Sequence, residues 1–139
     1  SRTSVALLMD SASRARASLV SPIIGPDSIV AMAKLANDVH VDESVMTYLS
    51  NIVEATRTHR DVVLGVSMRG AMALARAVKT WAISQGRTFV TPDDVRELAP
   101  YVLGHRLILD PDAEFAGAKA EDVIARILVD IEPPAYRAA

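Results

Sequence analysis

Ser67-Met68-Arg69-Gly70-Ala71-Met72-Ala73-Leu74-Ala75-Arg76-Ala77-Val78-Lys79-Thr80-Trp81-Ala82-Ile83-Ser84-Gln85-Gly86 is the stretch on which the fold turns. It opens on a hydroxyl residue suited to cap a helix and closes on a glycine at the usual C′ position. With Ala71 at zero and about 100° per residue, Leu74, Ala75, Val78 and Ala82 fall within about 60° of one direction and form a core stripe. Arg69 and Arg76 fall about 160° and 140° away, stacked two turns apart on the opposite face. Trp81, about 80° off the stripe, flanks the core or meets a partner.

The same logic extends downstream. Arg87-Thr88-Phe89-Val90 is too short to be more than an extended connector. Thr91-Pro92-Asp93-Asp94 then combines a capping hydroxyl, proline at the first helical position and two carboxylates at the positive end of the dipole. That helix carries Val95, Leu98 and Val102. Residues 110–116 read as a polar loop. A last helix starts near Ala118, holds Val123, Ile124, Ile127, Leu128 and Ile131, and stops at Pro133-Pro134.

Upstream, Asp42 caps a helix with Glu43 in its first turn and Val45, Leu49, Ile52, Val53 and Thr56 as its stripe, ending near His59. Pro26 and Asp27 suit the first turn of a shorter helix carrying Ile29, Val30, Ala33 and Leu35. Thr3 to Ala17 has helical spacing at Val5, Leu8 and Ala12, and Ser21-Pro22 and Gly25-Pro26 break it off as a loop. The expected fold is all-α: a small bundle of about five to six helices with a short extended connector near 87–90.

Composition agrees. The 139 residues suit one domain; half are hydrophobic, 22 are alanine and 4% are aromatic, a mix that favours packed helices over strands. A net charge of −2 argues against a globally basic nucleic-acid or membrane binder. No apolar run approaches the roughly 20 residues of a membrane span. The absence of cysteine excludes disulfides and thiolate chemistry and fits a reducing cytoplasm. A start at Ser1 with no signal-peptide pattern suggests a piece of a longer protein.

Catalytic motifs are scarce. His40, His59 and His105 lack metal-ligand partners at helical spacing, Gly65-Val66-Ser67-Met68-Arg69 has arginine where a nucleophile elbow needs glycine, and no glycine precedes lysine as a phosphate loop requires. The chain alone is therefore expected not to be an enzyme and to hold no metal. Charge is uneven: residues 55–87 carry six basic and one acidic side chain, and 107–139 carry three basic and seven acidic. Arg69 lies in the first turn of its helix, where a cation is unfavourable by about 0.3 to 1 kcal/mol unless an anion binds there. On spacing alone it forms either a salt bridge with a carboxylate or a bidentate grip on phosphate.

Four blocks occur in order: Glu54-Ala55-Thr56-Arg57-Thr58-His59, Leu64-Gly65-Val66-Ser67-Met68-Arg69-Gly70, Gly86-Arg87-Thr88-Phe89-Val90-Thr91-Pro92-Asp93-Asp94-Val95 and Val102-Leu103-Gly104-His105-Arg106-Leu107. The series resembles the C-terminal helical lid of MoxR-type AAA+ ATPases. The resemblance implies a division into residues 1–25 as linker and first lid helix after an ATPase core, 26–108 as lid, and 109–139 as a loop and helix packed on it. It implies ATP hydrolysis with magnesium in the full-length parent, coupled to chaperone-like remodelling of partner proteins. The fragment itself is expected to bind no nucleotide tightly and to be monomeric.

The partners so implied are the ATPase core of the same chain, neighbouring ring subunits and proteins with von Willebrand factor A domains. Neither nucleic acid nor membrane insertion is expected. Arg69 matches the second sensor arginine, a catalytic and nucleotide-contacting position, with Gly65 and Ser67 shaping and capping its turn. Met68 and Gly70 depart from the proline and alanine often found there, and Gly70 is expected to loosen the helix by about 0.5 to 1 kcal/mol. Arg57 and Arg106 read as packing or interhelical residues, and Arg87 as a partner of its helix's last carbonyls. The alternatives are a DNA-binding module reading through Arg69, Arg76 and Lys79, or a plain protein-interaction domain.

Overall fold

The computed structural model describes residues 21–135. The segment Thr3 to Ala17 therefore lies outside the described residues. Contacts divide the chain into two units, 1–32 and 33–139. Six helices are present among the described residues: α1 (Pro26–Asn37), α2 (Glu43–Thr58), α3 (Met68–Ser84), α4 (Pro92–Leu103), α5 (Pro111–Phe115) and α6 (Ala120–Asp130). A 3-10 turn, Gly104–Arg106, follows α4.

Local chemistry explains the helix ends. Asp42 caps α2, accepting from the Ser44 amide at 2.8 Å. Those bonds, from the Ser44 hydroxyl first and its amide second, hold the Asp42 carboxyl below its ordinary value. Gly86, at φ +74, takes the left-handed conformation that closes α3. Pro92 stands at the start of α4, and Thr91 and Asp94 form a reciprocal capping box.

One hydrophobic core joins α2, α3, α4 and α6 within residues 33–139. It holds Val45, Leu49, Ile52 and Val53 of α2, Leu74, Val78 and Ala82 of α3, and Val123, Ile124, Ile127 and Leu128 of α6. Two stripes differ from expectation. In α4 the deepest positions are Val95, Ala99 and Leu103, four residues apart, while Leu98 and Val102 flank them. In α1 the only buried residue is Ala36, and Leu35 is 57% exposed. An apolar spacing shows which face could be buried, but a neighbour must be present to bury it.

Two elements depart from a purely helical reading. β1 (Val62–Leu64) pairs antiparallel with β2 (Ile108–Leu109), with Val62 opposite Leu109 and Leu64 opposite Ile108, so that the register slips by one residue between them. Runs of three and two residues carry no periodicity, and they pair because the ends of α2 and α4 bring them side by side. The 110–116 segment is not a loop throughout: Asp110 accepts from the Asp112 amide at 2.9 Å and starts α5. Its cap followed by proline repeats the logic of α4, but no α5 residue is buried, so no apolar stripe announced it.

The connector at 87–90 is extended as expected. His40 donates to the Thr88 carbonyl at 2.9 Å, and Val90 donates to the His40 carbonyl at 3.0 Å, a single parallel bridge. Arg87 departs from its expected role. Its backbone amide does reach the Ala82 carbonyl at 2.9 Å, but its guanidinium turns to Asp94, with bonds of 2.7 and 2.5 Å. Asp94 also accepts from the Thr91 amide at 2.7 Å and is 4% exposed. Burial pushes this carboxyl up, but the Arg87 guanidinium and the Thr91 amide and hydroxyl outweigh it and hold it below its ordinary value.

This pair joins the end of α3 to the start of α4, so its loss should be felt globally. Asp94→Ala is expected to cost about 3 kcal/mol in urea unfolding, since it removes the Asp94 half of the capping box and Arg87's carboxylate together. The pair's contribution is fully present above the ordinary carboxyl value of 3.8 and is lost as pH falls through the lower folded value. Unfolding midpoints should therefore fall more steeply below about pH 4 in the wild type than in Asp94→Ala.

Candidate functional site

The turn that delivers Arg69 is built by α2. Thr56 is fully buried, donates its hydroxyl proton to the Val53 carbonyl at 2.6 Å, and accepts from the Val66 amide at 2.9 Å. The next residue, Arg57, donates from Nε to the Val66 carbonyl at 2.9 Å. Adjacent side chains on α2 thus satisfy both backbone groups of Val66, whose own side chain is fully buried. Arg57 also pairs with Glu54 at 3.0 Å, an exposed i,i+3 contact worth a few tenths of a kcal/mol.

Gly65 is required by close approach. A Cβ there would stand 2.6 Å from Arg57 Cα and 2.7 Å from its amide nitrogen, inside the backbone of α2. Gly70 is required likewise: a Cβ would stand 2.5 Å from Val66 Cγ1 and 3.2 Å from Arg106 Cδ. Gly70 is buried in the first turn of α3. It is a seat for two neighbours, which corrects the expectation that it merely loosens the helix.

Ser67 caps α3, its hydroxyl accepting from the Gly70 amide at a long 3.4 Å. Met68 and Arg69 are the first two helical residues, and no carboxylate occupies that first turn. Arg69 is exposed. It makes no ion pair with any described residue, although α3 ends beside a carboxylate that Arg87 grips. Arg76 is exposed on the same helix, and Lys79 donates to the Asn37 carbonyl at 2.8 Å. Of the two readings of Arg69, the carboxylate pair is not formed among the described residues, and an exposed guanidinium at a positive helix end suits an external anion.

The structure brings Gly65, Ser67 and Arg69 together in one turn and adds residues whose part in it was not foreseen. Thr56 lies on the stripe of α2 that faces the core, and a hydroxyl on a buried face is itself a signal, because it must bond something. Arg57 and Arg106 are packing residues, as expected, but what they pack against is the Arg69 turn. His40 and His105 are exposed, and His59 Nδ1 accepts from the Asp61 amide at 3.2 Å. No group of three or more His, Asp or Glu among the described residues is placed to hold a metal. Two open grooves, of about 480 and 580 Å³, lie around the start of α2, and Arg69 lines neither.

Residues 54–127 match the family model described as an AAA lid domain. The chain is 37% identical over 120 residues to the uncharacterized protein YeaC of Bacillus subtilis, covering 86% of this chain and 38% of that one. It is 30% identical over 125 residues to the chaperone MoxR1 of Mycobacterium tuberculosis, covering 84% and 33%. A crystal structure from Cytophaga hutchinsonii, assigned as an ATPase, superposes with a TM-score of 0.69 at 31% identity, covering 71% of this chain and 33% of that one. The chain thus spans roughly a third of the length of these relatives.

The clamp on Val66 makes two substitutions informative in denaturant unfolding. Gly65→Ala should cost about 2 to 3 kcal/mol, because the Cβ meets backbone that cannot rotate away. Thr56→Val, nearly the same shape, should cost about 1 to 3 kcal/mol by leaving the buried Val66 amide without its acceptor.

Proposed function

Because this chain belongs to the AAA lid domain family, in the branch of the MoxR-type AAA+ ATPases, we propose that it supplies a sensor arginine, Arg69, to the terminal phosphates of ATP. The observation that carries the reading is an exposed arginine in the first turn of α3 with no carboxylate partner among the described residues. A polyphosphate fits this end of the helix in charge and in geometry, since a guanidinium grips phosphate oxygens in a fork.

The role of each residue follows from its place. Gly65 lets the chain cross α2 at contact distance, Ser67 caps the helix, and Arg69 projects from the turn that results. Bound ATP with magnesium would supply the phosphoryl group that is transferred to water. Arg69 would feel the negative charge of the terminal phosphate before hydrolysis and lose that attraction once the phosphate leaves. α2, α3, α4 and α6 share one core, and on this reading a pull on the first turn of α3 would be felt by all four helices.

In the full-length protein this movement would couple ATP hydrolysis to chaperone-like remodelling of partner proteins, among them proteins with von Willebrand factor A domains. The ATPase core and neighbouring subunits of a ring, working in the cytoplasm, would complete the site. The lid's contribution is the arginine and the rigid body behind it.

ATP turnover by the full-length protein and its Arg69→Ala variant tests this reading. A folded variant should lose at least tenfold in kcat, about 1.4 kcal/mol of transition-state stabilisation. An active parent indifferent to Arg69→Ala would leave the lid assignment standing and remove the sensor role.

A further inference from the structure

Arg106 ends the 3-10 turn after α4, far in sequence from Arg69 and close to it in the fold. Its Nε donates to the Val102 carbonyl at 2.9 Å, which ties the side chain back to α4. Its stem lies against the first turn of α3, where Cδ would be 3.2 Å from a Cβ at Gly70. Gly70 directly follows Arg69, and Val66, held by Thr56 and Arg57, crowds the same missing Cβ at 2.5 Å. The peptide that carries Arg69 is thus gripped from α2 through Val66 and from α4 through Arg106.

We infer that Arg106 is a positioning residue for Arg69: its stem, seated on Gly70 and anchored to α4, sets the direction in which the first turn of α3 presents the Arg69 guanidinium. This rests on the sensor reading of Arg69 proposed above. The contact with α3 is made by an uncharged methylene, and Nε is engaged with the Val102 carbonyl of α4. Shape and anchoring, more than charge, are therefore what Arg106 brings to the turn. Such a role matters because a misplacement of about 1 Å at a reacting centre can cost on the order of 100-fold in rate. Gly70 is glycine first because a Cβ would stand 2.5 Å from Val66 Cγ1, and the Arg106 stem, 3.2 Å from the same point, is the second neighbour it would press on.

The test is a set of variants in the full-length ATPase: Arg106→Ala, Arg106→Gln, Arg69→Ala and the Arg69→Ala/Arg106→Ala double variant, each with kcat, KM for ATP and thermal midpoint. Arg106→Ala is expected to lower kcat at least about fivefold with little change in KM, and to have no further effect once Arg69 is alanine. Arg106→Gln keeps Cδ and a donor nitrogen at the position of Nε while removing the charge, and should stay within about twofold of wild type. Equal, additive losses from Arg106→Ala with and without Arg69 would overturn the inference, because a residue acting through Arg69 cannot act in its absence.

A loss in Arg106→Gln as large as that in Arg69→Ala would also overturn it, by making the charge the active part. That variant decides the matter if Arg106→Ala does not fold. Slow turnover in Arg69→Ala with normal turnover in Arg106→Ala would remove the positioning role and leave the sensor role. Normal turnover in Arg69→Ala would remove both.

Discussion

Two hydrogen bonds to the backbone of one residue, Val66, organise this domain. Thr56 takes the amide of Val66 and Arg57 takes its carbonyl. Because the two donors and acceptors are neighbours on α2, the incoming chain can run past that helix at one height and one angle. Gly65 is the steric consequence, as its Cα lies against the Arg57 backbone. The start of α3 follows from this crossing, and so does the placing of Arg69 at the helix's positive end. A buried amide left without its acceptor would cost about 1 to 3 kcal/mol, comparable to a cap or a buried methyl pair, so the arrangement is strongly specified.

A second junction, at the other end of α3, does the same for α4. Gly86 turns the chain, Arg87 reaches forward, and Asp94 binds it while closing the capping box with Thr91. The carboxylate is nearly sealed from water yet stays ionised, because three donors face it. Helix α3 is thereby fixed at both ends to different neighbours. Its middle is fixed by Leu74, Val78 and Ala82 in the shared core. Helix α3 is therefore held along its whole length, at its start, its middle and its end.

The electrostatics of α3 are as telling as its packing. The helix from Met68 to Ser84 contains three basic residues and no carboxylate. Arg69 stands where the helix dipole disfavours it, and nothing among the described residues neutralises it. A cation in that turn is mildly unfavourable for the helix by itself, by about 0.3 to 1 kcal/mol. The exposed Met68 and Met72 beside it, 66% and 52% exposed, add apolar surface to the same edge.

What the sequence determined by itself was local. Caps, a proline at a first turn, a glycine at a C′ position and an apolar stripe each act within about four residues, so the starts of α2, α3 and α4 and the position of Arg69 could be read directly. The Asp110 cap was equally local, yet α5 went unread because it buries nothing and therefore shows no stripe. Other features depended on how the helices cross. Thr56 meets Val66 ten positions on, Arg87 meets Asp94 seven on, and Arg106 meets Gly70 across two helices. The same holds for the pairing of β1 with β2 and for the exposed Leu35 of α1. Local propensity states which groups need a partner; only the packed chain decides which partner lies within a few ångströms, because that distance is set by the crossing of whole helices.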